Sequence, residues 1–231
     1  YIEPKWKGFP QFLYEKESLT DSEIIQKEMA NQVLTRQKVI FFFKEIGFSE
    51  SSAYQKYLKL KSNYGIVKIG PHRYKTAGSM YLTSSIFKTV EKSLLDILND
   101  QNYIVLKAID LKELKLPVIS DLQWNTDLIA YCVTQATQVR LLPWFTKMET
   151  QFKTTPEDPL IVASNSSSWC SIVDLICYTM EGYSGFLSLA EFLKYLKCKN
   201  ILLNEKLDTM PAILKQTFYI DRQNIVHLKK I

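Results

Sequence analysis

Between Glu50 and Lys75 the chain sets two kinds of side chain at close spacing, neutral hydrogen-bonding groups and cations. Ser51, Ser52, Tyr54, Gln55 and Lys59 share the polar side of a helical repeat. Their hydroxyl, amide and ammonium groups match the donors and acceptors that base edges expose, and Gln55 fits an adenine edge in a major groove. Lys56, Lys61, Lys68, His72, Arg73 and Lys75 are interleaved with them or follow, and their charge suits phosphate. His72 also reads as a plain polar residue at a turn tip. The chemistry this pattern supports is recognition of a polyanion, without bond making.

Bond-making chemistry finds little support elsewhere. The chain has no GxxxxGK[ST], GxSxG or HExxH pattern, and its 7 glycines are too few for phosphate-cradling loops. Glu149, Lys153 and Asp158 have the residue types of a metal nuclease, but Glu157 and Asp158 lie between prolines as turn residues do. Cys132, Cys170, Cys177 and Cys198 form no CxxC pair, and His72 and His227 are the only histidines. We therefore expect no catalytic residue, no cofactor and no metal. Thiols scattered among apolar neighbours, as in IVDLICYTM, read as buried, unbridged cysteines of a reducing compartment.

The 231 residues are 46% hydrophobic with an ordinary charge content, which describes a folded chain. No run of eighteen apolar residues occurs, and the stretch Val39 to Phe43 is only five long, so nothing is expected to span a membrane. The opening YIEPKWKGFP carries neither methionine nor a signal-peptide core, and reads as the start of a trimmed or processed chain. The expected location is the cytoplasm or nucleoid, or the nucleus of a eukaryote.

Helical periodicity organises most of the chain. Ile24, Ile25, Met29 and Val33 share one face after an N-cap at Thr20 or Asp21. Ile86, Val90, Leu94, Ile97 and Leu98 repeat the pattern, as do Trp169, Ile172, Val173, Ile176 and Met180 ahead of a stop at Gly182. Short strand signals close each stretch: GIVKI with HRYKT, FTKMETQF with PLIVAS, and TFYID with NIVHLKK. The order of helices followed by a strand pair thus occurs three times. It divides the chain into an extension (1–18) and modules at 19–83, 84–165 and 166–231, with SNSSSW as the clearest joint. The fold class expected is mainly α with short β-hairpins.

The segment KEIGFSESSAYQKYLKL resembles the helix-turn-helix family over Ile40 to Leu60. Gly47 suits the tight bend, Phe48 the apolar plug after it, and Ser49 the N-cap of a second helix. Ala53 is small where two helices touch, and Tyr57 and Leu58 fall on the inward side. Phe43 departs from that family's pattern, being bulky where a small residue is common. IVKIGPHRYKT extends the resemblance to winged-helix DNA-binding domains, with Gly65 ending the helix and Gly70 and Pro71 at the ribbon tip. The resemblance implies that the second helix enters the major groove and the ribbon lies on phosphates.

Charge agrees with that placement. Lys44 to Ala77 holds seven basic residues against Glu45 and Glu50, an excess equal to the net charge of +5 for the whole chain. A lysine-rich solvated face would give the same count. In the second module, Leu116 and Pro117 read as a bend before a helix LQWNTDLIAYCVTQATQVRLL, whose only basic residue is Arg140. Its Trp124, Leu128, Tyr131 and Val139 suit packing on another module or a partner subunit. The third module closes on a wing-like pair with Arg222, Lys229 and Lys230.

The partner expected is double-stranded DNA, read through the first module by a transcriptional or mobile-element regulator. Two other readings stand beside it. One is a tandem winged-helix scaffold whose second and third modules hold a protein partner or a second copy. The other is the DNA-recognition region of a larger enzyme, such as a restriction enzyme or transposase.

Overall fold

The computed structural model describes residues 19–144, 160–181, 187–202 and 209–229. The expectations for the 1–18 extension, the FTKMETQF strand, the cluster of Glu149, Lys153, Glu157 and Asp158, the Gly182 stop and Lys230 lie outside the described residues. Seven helices and small antiparallel sheets make up the described chain, a mixed α/β architecture. They fall into two compact units. One takes in the described residues up to Ile86 together with Pro117–Tyr131; the other takes in Phe87–Leu116 and the described residues from Cys132 onward.

In the first unit, α1 (Asp21–Met29) opens with a capping box: Thr20 accepts from the Glu23 amide, and Glu23 accepts from the Thr20 amide at 2.7 Å. The helix stops before Val33, although periodicity assigns that residue to its face. Asn31 takes φ 63° and turns the chain toward Leu34. Helix α2 (Arg36–Glu45) is capped by Thr35, and α3 (Glu50–Ser62) follows after a short turn. Strands β1 (Ile66–Gly70) and β2 (Arg73–Thr76) form an antiparallel hairpin with a bulge between Lys68 and Gly70. Leu34 adds a bridge to Tyr74 in β2, with paired backbone hydrogen bonds of 2.8 and 2.9 Å. Ile24, Ile25, Leu34, Val39, Phe43, Ala53, Leu60 and Ile66 fill the core between these elements.

Gly65 plays a different part from the one expected. The left-handed residue after α3 is Tyr64, at φ 57°. A Cβ at Gly65 would strike Ser22 and come within 2.9 Å of Leu60 Cδ2, so glycine is there for close packing against α1.

The chain continues through α4 (Ser84–Leu98), β3 (Ile104–Val105), a 3-10 turn at Leu111–Glu113 and α5 (Thr126–Thr134). Strands β4 (Val139–Leu141) and β5 (Ile161–Ser164) then join β3 in a sheet of order β3-β5-β4. Here the expected long helix is corrected: α5 ends at Thr134, and Val139–Leu141 is a strand. The buried Glu91 carboxylate accepts from the amides of Thr137 at 2.7 Å and Gln138 at 2.5 Å, which draws the backbone out of helical pairing. Thr137 and Val139 are β-branched and fit the strand better.

Helices α6 (Ile172–Glu181) and α7 (Leu189–Cys198), a 3-10 turn at Leu214–Gln216 and the hairpin of β6 (Phe218–Ile220) with β7 (Val226–Leu228) complete the second unit. Phe192, Phe218, Leu175, Ile176, Leu196 and Ile161 lie at its core. SNSSSW lies inside this unit and forms a bonded turn. Ser167 Oγ donates to the Ser164 carbonyl at 2.7 Å, and Arg140 donates to the Trp169 carbonyl at 2.8 Å. No disulfide forms among the described residues. Cys132 is buried, and desolvation pushes its thiol up to about 12, whereas Cys170 and Cys198 are exposed, against the expectation that all four are buried.

One strand pairing recurs. Leu34 bridges β2, which pairs with β1; β3 pairs with β5, which pairs with β4. Ser188 bridges Ile225 at the start of β7, which pairs with β6. Each time, a residue or strand early in the segment joins the last strand, and the middle strand sits outside. No helix among the described residues is long and apolar enough to cross a membrane.

Candidate nucleic-acid interface

Helix α3 is held along one side and open along the other. Gly47 takes φ 107° at the bend, a conformation L side chains rarely adopt. Phe48 then packs edge-on against Phe43, with ring centroids 5.8 Å apart. The Ser49 hydroxyl accepts from the Ser52 amide at 3.2 Å and starts the helix. Ala53, Tyr57 and Leu60 are buried, and Leu58 is half-buried. The Tyr57 and Tyr74 hydroxyls meet at 3.0 Å, tying the helix to the hairpin. Burial, with this bond and the Tyr74 charge added, pushes the Tyr57 phenol well above its ordinary range.

Of the expected base-reading residues, Ser51, Ser52, Gln55 and Lys59 are exposed. The Ser52 hydroxyl also bonds Ser49 Oγ at 2.9 Å. Tyr54 is half-buried, stacked beside Tyr57 at 6.3 Å, and Arg36 of α2 lies 4.8 Å above its ring. Arg36 is exposed and falls outside the stretch whose charge stands out in the sequence.

The cations are less available than their number implies. Lys56 Nζ bonds Asp21 Oδ1 at 2.5 Å and lies 4.2 Å from the Phe48 ring centroid, so its ammonium is committed within the unit. Lys59 Nζ is 3.6 Å from Asp21 Oδ2, Lys44 pairs with Glu50 at 3.1 Å, and Lys68 approaches Asp127 at 4.0 Å. Lys61 and Lys75 are half-buried, while His72, with φ 55°, and Arg73 are exposed at the hairpin turn. Asp21 and Asp127 come from outside the basic stretch, and a count confined to that stretch misses both.

The hairpin is covered on both faces. Ile66 and Tyr74 join the helical core, whereas Val67, with half-buried Ile69, joins a second cluster around Met80 and Leu128. Trp124 and Tyr131 pack against that cluster, and Trp124 Nε1 donates to the Pro117 carbonyl at 2.6 Å. Asn125 Nδ2 donates to the Lys68 carbonyl at 3.2 Å, and Asn125 caps α5 by accepting from the Leu128 amide at 3.0 Å. Trp124, Leu128 and Tyr131 thus pack beside this hairpin, within the same compact unit. Val139 lies in β4 instead.

Compared with protein families, with curated proteins and with solved structures, the chain matches none.

Proposed function

We propose that the chain binds duplex DNA through its first unit, with α3 as the reading helix and the β1–β2 hairpin as a wing on the phosphates. One observation carries the reading. A helix buried along Ala53, Tyr57 and Leu60 follows a glycine bend and leaves Ser51, Ser52, Gln55 and Lys59 exposed, next in sequence to a hairpin with Arg73 at its turn. The strand order, early bridge then last strand then middle strand, is the one a winged helix uses, and its recurrence supports winged-helix modules in tandem. A transcriptional or mobile-element regulator fits this role, and so does the DNA-recognition region of a larger enzyme.

The pairing of Lys44, Lys56, Lys59 and Lys68 with acids favours the second reading, a tandem winged-helix scaffold that holds proteins. Binding to a selected duplex and to a random duplex across a salt series separates the two. Arg73→Ala with Lys75→Ala should weaken both equally and flatten the log–log salt dependence by roughly 0.9 for every phosphate no longer neutralised. Gln55→Ala should cost about 1–3 kcal/mol on the selected duplex and little on the random one. Parent-like binding by the wing variant at every salt concentration transfers the conclusion to the scaffold.

A further inference from the structure

We propose that Asp21 restrains the phosphate attraction of the α3 surface by engaging two of its lysines, and so sets how strongly the helix binds DNA of any sequence. This rests on the DNA-binding reading above. The capping box of Thr20 and Glu23 fixes the start of α1. From its first turn the Asp21 side chain, 9% exposed, reaches α3 with both oxygens: Oδ1 bonds Lys56 and Oδ2 lies 3.6 Å from Lys59. Lys56 and Lys59 are three positions apart and so neighbours on one helix side.

The two lysines differ in what this does to them. The Lys56 side chain is 23% exposed and turned over Phe48, so its pairing holds the unit together. Lys59 is 58% exposed, and the same carboxylate, shared with Lys56, offsets part of its charge while leaving it in reach of solvent. Phosphate attraction is blind to sequence, and it strengthens wrong complexes as much as right ones. Restraining it therefore lowers the affinity for selected and random DNA alike, and leaves their ratio to the base-facing groups of Ser51, Ser52 and Gln55.

The test compares Asp21→Asn, Lys59→Ala and the double variant with the parent, on a duplex selected from a random pool and on a random duplex. Asp21→Asn should bind both duplexes more tightly, by the same factor, and leave the ratio of the two affinities unchanged. Its salt dependence should steepen by roughly 0.9, so that about 3-fold more affinity is lost between about 50 and 200 mM salt. Adding Lys59→Ala should return the slope to the parent's, whereas Lys59→Ala alone should flatten it by well under one unit. An Asp21→Asn protein with the parent's slope and the parent's affinities, but a lower melting temperature, would make Asp21 a structural partner only and overturn the proposal. If Asp21→Asn does not fold, Lys59→Ala decides: a slope already flattened by about one unit places Lys59 on phosphate in the parent and overturns it. A parent that binds neither duplex overturns the DNA reading itself, and this proposal with it.

Discussion

At Gly47 the backbone takes φ 107° between two helices, and the residue type follows from that angle. Gly47→Ala should cost about 1–3 kcal/mol, because an L side chain there is strained whatever space surrounds it. Urea unfolding should show the loss as a lower midpoint at unchanged slope. Gly65 needs glycine for another reason, the approach of Ser22 and Leu60. The bend was legible because glycine beside an N-cap serine has a local meaning. The close approach at Gly65 was not, since Ser22 is distant in sequence. Lys56 is similar: its helical position is plain from spacing, but Asp21 and Phe48, which decide what its charge does, lie on other elements.

Helices α1 and α7 each start with a capping box, Thr20 with Glu23 and Ser188 with Glu191. A hydrogen bond from the Thr20 hydroxyl, then one from its amide, holds the Glu23 carboxyl below the ordinary glutamate value; Ser188 does the same for Glu191. The folded value is depressed, so the caps contribute fully above the ordinary pKa and are lost as pH falls through the lower, folded-state one. Protection of the first-turn amides of both helices, taken as exchange relative to the intrinsic rate at each pH, should therefore fall between about pH 5 and pH 3. Glu23→Gln should abolish that response in α1 and leave it in α7. These caps were readable, being contained within four residues. The end of α5 was not, because Glu91, which takes the amides of Thr137 and Gln138, sits on α4.

At the scale of the described chain, the order of early bridge, last strand and middle strand recurs in separate segments. The Pro117–Tyr131 segment adds a brace to the first hairpin through the fully buried Leu128. Leu128→Ala should cost about 2–5 kcal/mol in urea unfolding. Because Val67 loses its packing partner, the β1 amides should exchange faster, while those of α1 keep their order of protection. Uniform acceleration across the first unit would mean that hairpin and helices open together and that the brace has no local effect.

Residue order alone located the first and last strand pairs, the Gly47 bend, the Ser49 cap and the polar side of α3, since each depends on periodicity or on neighbours close in the chain. Interactions between distant positions decided the rest. Asp21 and Asp127 meet lysines of the basic stretch, Trp124 and Leu128 cover the outer hairpin face, and Leu34 and Ser188 find their strands. Coulomb attraction and apolar burial act through space, whatever the separation along the chain, so composition recorded the basic excess but only the folded chain shows which charges are already balanced.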